Sequence, residues 1–117
     1  MSVTITIPDS VTESVVQGIM ENFPEASSGC ALVCIRWRYD DWKFRFEDTE
    51  TDEVYDLNKA KLMAAFALLF TDKWPKGCTT PPASVTLEAW EEWLCQADAT
   101  DFDAFAQLAC LGEVIYG

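Results

Sequence analysis

Between residues 30 and 46 the sequence CALVCIRWRYDDWKFRF carries the clearest structural signal in the chain. Ala31, Val33, Ile35, Trp37 and Tyr39 share one parity, and Arg36 and Arg38 share the other. After Asp40 and Asp41, Trp42, Phe44 and Phe46 fall on one side and Lys43 and Arg45 on the other. Successive side chains of a strand point to opposite faces, so the pattern predicts a hairpin with an aromatic face and a cationic face. Arg38 and Lys43 become cross-strand neighbours of like charge, which calls for a carboxylate beside them. Asp-Asp is a weaker turn signal than Asn-Gly and leaves the loop length open. EVYDL, residues 53 to 57, reads as a third strand, which makes FEDTETDEVYD (46 to 56) the second turn of a meander.

The flanking segments follow helical periods. SVTITIP places Val3, Ile5 and Ile7 on one side of a half-buried strand that Pro8 ends. Asp9 or Ser10 then caps a helix, with Glu13 completing a capping box if Ser10 is the cap. Val11, Val15, Ile19 and Phe23 recur every four residues, with Val16 and Met20 alongside, and Pro24 and EASSG close the helix. Asn58 caps a second helix over about residues 59 to 73, with Leu62, Phe66, Leu69 and Phe70 on one face. WPKGCTTPPAS breaks all periodicity and predicts a loop. A helix restarts near Thr86 with Leu87, Trp90, Trp93 and Leu94 on one side. DATD separates it from a last helix carrying Phe102, Phe105, Leu108, Ala109 and Leu111, with Gly112 as its C′ residue. The expected fold is α+β, a three- or four-stranded antiparallel sheet (a meander) with helices packed on one face. The aromatic row is expected to pack against Phe66, Leu69 and Phe70. A chain of 117 residues suits a single domain, 1–117.

Charge changes this picture from fold towards partners. Twenty acidic residues against eight basic ones give a formal charge of −12. Such a field repels phosphate backbones and anionic membranes and favours basic protein surfaces. No direct nucleic-acid contact and no membrane association are expected. MSVTITIPDS lacks the basic start and long apolar run of a signal peptide, and LMAAFALLF (62 to 70) is too short to span a bilayer. A cytoplasmic location in a host cell, with Cys30, Cys34, Cys78, Cys95 and Cys110 reduced, is the simplest expectation.

Candidate chemistry is sparse. The chain has no histidine, which removes Ser-His-Asp and Cys-His arrangements and His-ligated metals. It has no phosphate-binding glycine loop either. On one strand Cys30 and Cys34 would stand ~13 Å apart, too far for one zinc ion. The 47 to 56 stretch lacks the spaced glycine and terminal glutamate of a twelve-residue calcium loop. The expectation is a non-enzyme that needs no metal or cofactor. Aromatics and cations of opposite parity also argue against a base-stacking platform.

The acidic residues remain. Asp48, Glu50, Asp52 and Asp56 share one parity, and Glu47 and Glu53 the other. Carboxylates on one strand face repeat every ~6.8 Å, close to two nucleotide rises of one DNA strand. A turn within the segment breaks that alternation, and taken alone the stretch reads as a solvated turn. A second acidic group, Glu88, Glu91, Glu92, Asp98, Asp101 and Asp103, raises the reading of a charged surface. The candidate binding residues are Glu47, Asp48, Glu50, Asp52, Glu53, Asp56, Glu88, Glu91 and Glu92.

LNKAKLMAAFALLF (57 to 70) and FAQLACLGEVIYG (105 to 117) carry a resemblance. The chain resembles a group of small acidic proteins from phages and related mobile elements that close on a Gly-Glu-aliphatic-aliphatic-Tyr-Gly tail. Here the tail is Gly112, Glu113, Val114, Ile115, Tyr116 and Gly117, while residues 77 to 93 depart with extra prolines and tryptophans. The resemblance brings no catalytic residues. It implies a mobile-element origin and a role as an inhibitor of a host or defence complex, anti-CRISPR proteins among the precedents, and the carboxylate spacing adds DNA mimicry to that expectation. The partner expected is a basic surface on a nucleic-acid-binding protein or complex. The alternative is an immunity-type or accessory protein that neutralises a toxin or serves in phage assembly.

Overall fold

A computed structural model describes residues 7 to 26 and 31 to 116. Val3 and Ile5 of the expected first strand lie outside the described residues, and Ile7 packs against the core. The elements run α1 (Asp9–Met20), α2 (Phe23–Ala26), β1 (Leu32–Arg38), β2 (Lys43–Asp48), β3 (Val54–Leu57), α3 (Lys59–Leu68), α4 (Leu87–Gln96) and α5 (Ala99–Leu111). The strands form an antiparallel meander in the order β1-β2-β3, so the fold is α+β as the pattern predicts. One turn of 3-10 helix, Tyr39–Asp41, joins β1 to β2 and ends on Trp42 in the left-handed region.

Helix ends match the sequence signals in part. The Asn58 side chain accepts from Lys61 N–H, Thr86 caps α4, and Gly112 takes φ 79° after α5. α1 differs: Pro8 occupies the cap position with no side-chain bond, and Glu13 instead pairs with Lys59 at 2.7 Å. The proline ring fixes an extended entry and its carbonyl receives Val11 and Thr12 N–H, which leaves no capping role for Asp9 or Ser10. α3 is shorter than expected and ends at Leu68. Phe23 is not the last rung of α1. It opens the short helix α2.

The core corrects the expected aromatic face. Phe44 and Phe46 of β2 are buried, but in β1 the buried residues are Leu32 and Cys34. Ile35 is 46% and Trp37 50% exposed. Cys34 faces Phe46 and Arg36 faces Arg45, so Ile35 is an extra residue, a β-bulge that inverts the parity of β1 part-way along. Residues 31 to 35 are apolar on both parities, so alternation there gave no unique face. Phe44 and Phe46 pack edge-on against Phe23 at 5.2 and 5.3 Å. Phe66 meets Trp90, Trp90 meets Trp93, and Phe70 is 53% exposed. α2 and α5 lie on the sheet, α3 packs on α5, and α1 bridges α3 to α4. At that last contact a Cβ on Gly18 would come within 2.7 Å of a terminal methyl of Leu94, so the glycine leaves room for that side chain.

Candidate functional site

The acidic segment folds around one of its own carboxylates. Asp48, the last residue of β2, is 1% exposed. Its main chain donates to Glu53 C=O at 2.8 Å and accepts from Asp52 N–H at 2.7 Å. Its Oδ1 accepts from Glu50 N–H at 2.8 Å and Thr51 N–H at 3.3 Å. Aspartate favours this local geometry because its short side chain reaches the amides two and three residues on. Asp52 closes the turn at φ 64°, a left-handed conformation that aspartate tolerates better than most residues. Thr49 N–H and Oγ1–H both donate to Ala31 C=O, which ties the turn back to the start of β1.

The second oxygen of Asp48 belongs to the C-terminal tail. Tyr116 Oη donates to Asp48 Oδ2 at 2.7 Å. The tyrosine is delivered there by Gln107, fully buried on α5. Gln107 Oε1 accepts from Ile115 and Tyr116 N–H at 2.9 Å each, and its Nε2 donates to Tyr116 C=O and to Asp103. The Tyr116 hydroxyl holds the Asp48 carboxyl below its ordinary range, against the opposing effect of burial. The same bond pushes the Tyr116 hydroxyl up to about 12. Turn, tail and α5 form one hydrogen-bonded unit.

This geometry revises the candidate surface. Asp48 is an anchor and not a displayed charge. Asp56 is exposed but holds Arg45 through a 2.7 Å ion pair, which lowers its carboxyl. Glu50, Asp52 and Glu53 are exposed on the turn, and Glu47 is half-buried. Glu53 accepts from Tyr55 Oη, which pushes that hydroxyl up to about 12. Glu88, Glu91 and Glu92 are exposed on α4, away from buried Trp90 and Trp93. Among the described residues none of Glu47, Glu50, Asp52, Glu53, Glu88, Glu91 and Glu92 has an ion-pair partner. The rest of the second acidic group is structural. Asp98 and Asp101 form the capping box of α5, and Asp101, 1% exposed, accepts from Thr79 N–H and Oγ1–H at 2.7 Å each. Asp103 accepts from Gln107. The structure places the two remaining carboxylate groups on separate elements, one latched to the tail and one on a helix packed against α1.

Sequence reasoning missed Tyr116 and Gln107. The available signal was a glutamine set between Phe105 and Leu108 in an otherwise apolar stripe, since a buried amide needs partners for both its ends. D-A-T-D before an apolar run was likewise a capping-box pattern.

The described cysteines are buried or half-buried except Cys95, which is exposed. Burial raises the Cys34 thiol to about 11 and the Cys78 and Cys110 thiols to about 12, so these are poor nucleophiles at neutral pH. Among the described residues no three potential ligands converge on a metal position, and no helix is long and apolar enough to cross a membrane. No protein-family model, curated protein or solved structure matches the chain.

Proposed function

We propose that the chain is a non-catalytic acidic binding protein of phage or mobile-element origin. In this reading it inhibits a nucleic-acid-handling host or defence complex, in the manner of an anti-CRISPR protein, by presenting carboxylates to a basic surface that receives phosphates. One observation carries the reading: Glu50, Asp52 and Glu53 stand, among the described residues, without cationic partners on a turn held by buried Asp48 and its bond to Tyr116. A preorganised turn avoids most of the ordering cost that a flexible acidic tip incurs on binding. The α4 face adds a second instance. Glu88 and Glu92 are one helical turn apart, a like-charge spacing that disfavours the helix by a few tenths of a kcal/mol. Asp48 and Asp56 leave the contact set, since Asp48 is buried and Asp56 is neutralised by Arg45.

The test is affinity capture with the full chain from the cells in which it acts, followed by association rates for the captured partner over a salt series. A basic nucleic-acid-binding partner is expected, with an on-rate that falls as salt rises. Changing Glu50→Gln, Asp52→Asn and Glu53→Gln together should slow association and flatten the salt dependence. A partner bound at the same rate by parent and by variants neutralised on both the turn and α4 would show the carboxylates to be a solvent coat.

A further inference from the structure

The opposite end of the sheet concentrates positive charge. A cleft of about 360 Å³ is lined by Arg36, Arg38, Lys43 and Arg45, with Trp37 and Asp56 among its other walls. These cations are half of the chain's eight basic residues and include all three arginines. Antiparallel register sets Arg36 opposite Arg45 and Arg38 opposite Lys43. Like charges directly across a strand pair oppose sheet formation, so the arrangement works against the fold that carries it.

The protein's own carboxylates neutralise this end incompletely. Arg45 is paired with Asp56 at 2.7 Å, and Arg38 reaches Asp41 only at 3.5 Å with both side chains more than half exposed. Among the described residues Arg36 and Lys43 have no ion-pair partner. Four cations against two carboxylates leave two positive charges facing one open space.

We infer that this cleft is a binding site for a small phosphate monoester. Guanidinium forks match phosphate oxygens in pairs, and a phosphate monoester near neutral pH carries up to two negative charges. The cleft volume lies within the ~300–1,000 Å³ typical of small-ligand sites. The net charge of −12 selects for size. It repels a polyanion along its whole length, whereas a single phosphate senses mainly the cations within a Debye length of ~8 Å. Arg36, Arg38 and Lys43 lie at the far end of the hairpin from the acidic turn, with β2 placing Lys43 ~17 Å from Asp48.

Amide spectra of the ¹⁵N-labelled full chain, titrated at low ionic strength with phenyl phosphate, test the assignment. Shifts should saturate and should be confined to residues 36 to 38, 43 to 45 and 56 to 58. The pair Arg36→Gln and Lys43→Gln should weaken affinity by roughly tenfold or more, as loss of charge-assisted hydrogen bonds does. Lys76→Gln, in an exposed loop, is the control and should leave affinity unchanged. Melting of the double variant at or above the parent temperature would show that the loss is not one of folding. Shifts that fail to saturate, or that spread equally to Lys61 and Lys76, overturn the inference. So does displacement of phenyl phosphate by poly-glutamate at a lower charge concentration, which would make the cleft a contact for acidic protein.

Discussion

The two ends of the meander solve opposite electrostatic problems by opposite means. At the β2–β3 turn, carboxylates crowd together and one of them is buried: Asp48 turns inward, collects two turn amides and the Tyr116 hydroxyl, and so converts a repulsive segment into an ordered one. At the other end, Arg36, Arg38, Lys43 and Arg45 stand across from one another with two surface carboxylates as partial relief. The acidic end contains its own anchor, and the cationic end is left partly unneutralised. Charge counted along a sequence therefore says little about function until each group is sorted into those that hold the fold and those that face outward.

Apolar truncation gives the largest contrast between the two ends. Phe46→Ala, beside the acidic turn, removes a ring packed on Phe23 and should cost about 3–5 kcal/mol in denaturant unfolding. Trp37→Ala, beside the cations and half exposed, should cost about 1 kcal/mol or less. Equal losses would mean that the bulge at Ile35 does not expose β1 as described.

Next in size is the anchor itself. Asp48→Asn and Tyr116→Phe should each lower the melting temperature at neutral pH, and the double variant should lose less than the two singles combined because they share one bond. The pH dependence has a definite sign. Asp48 has a folded-state pKa below its unfolded value, so its contribution is present above the ordinary carboxylate range and is lost as pH falls through the depressed value. Tyr116 is raised from 10 to about 12, so its contribution is present below 10 and is lost as pH rises towards 12. The gap between parent and Tyr116→Phe should therefore be widest between these limits and narrow at both extremes. A gap independent of pH would remove the bond from the account.

The smallest effects are expected where charge faces solvent. Neutralising Glu50, Asp52 and Glu53 should change stability by no more than about 0.5 kcal/mol each, since no core contact is lost. Arg36→Gln should leave the melting temperature level or slightly raised by relieving its repulsion with Arg45. A clear loss of stability in either case would make these groups structural and would erase the distinction between anchor and display.

Local chemistry in the sequence determined much of this protein. The α+β order, the meander, the caps at Asn58 and Thr86, the Gly112 terminus and the inward parity of Phe44 and Phe46 follow from short-range rules of period, capping and turn geometry. Those rules act over a few residues and are written in adjacent letters. Tertiary structure decided the rest. Five consecutive apolar residues in 31 to 35 left two faces available, and the pairing of Cys34 with Phe46 chose between them and expelled Ile35 as a bulge. Whether Asp48 and Asp101 are displayed or buried depended on Tyr116 and Thr79, 68 and 22 residues away. A carboxylate is stable inside only when distant donors converge on it. That convergence is a property of the folded chain, and no local pattern in the acidic stretch announces it.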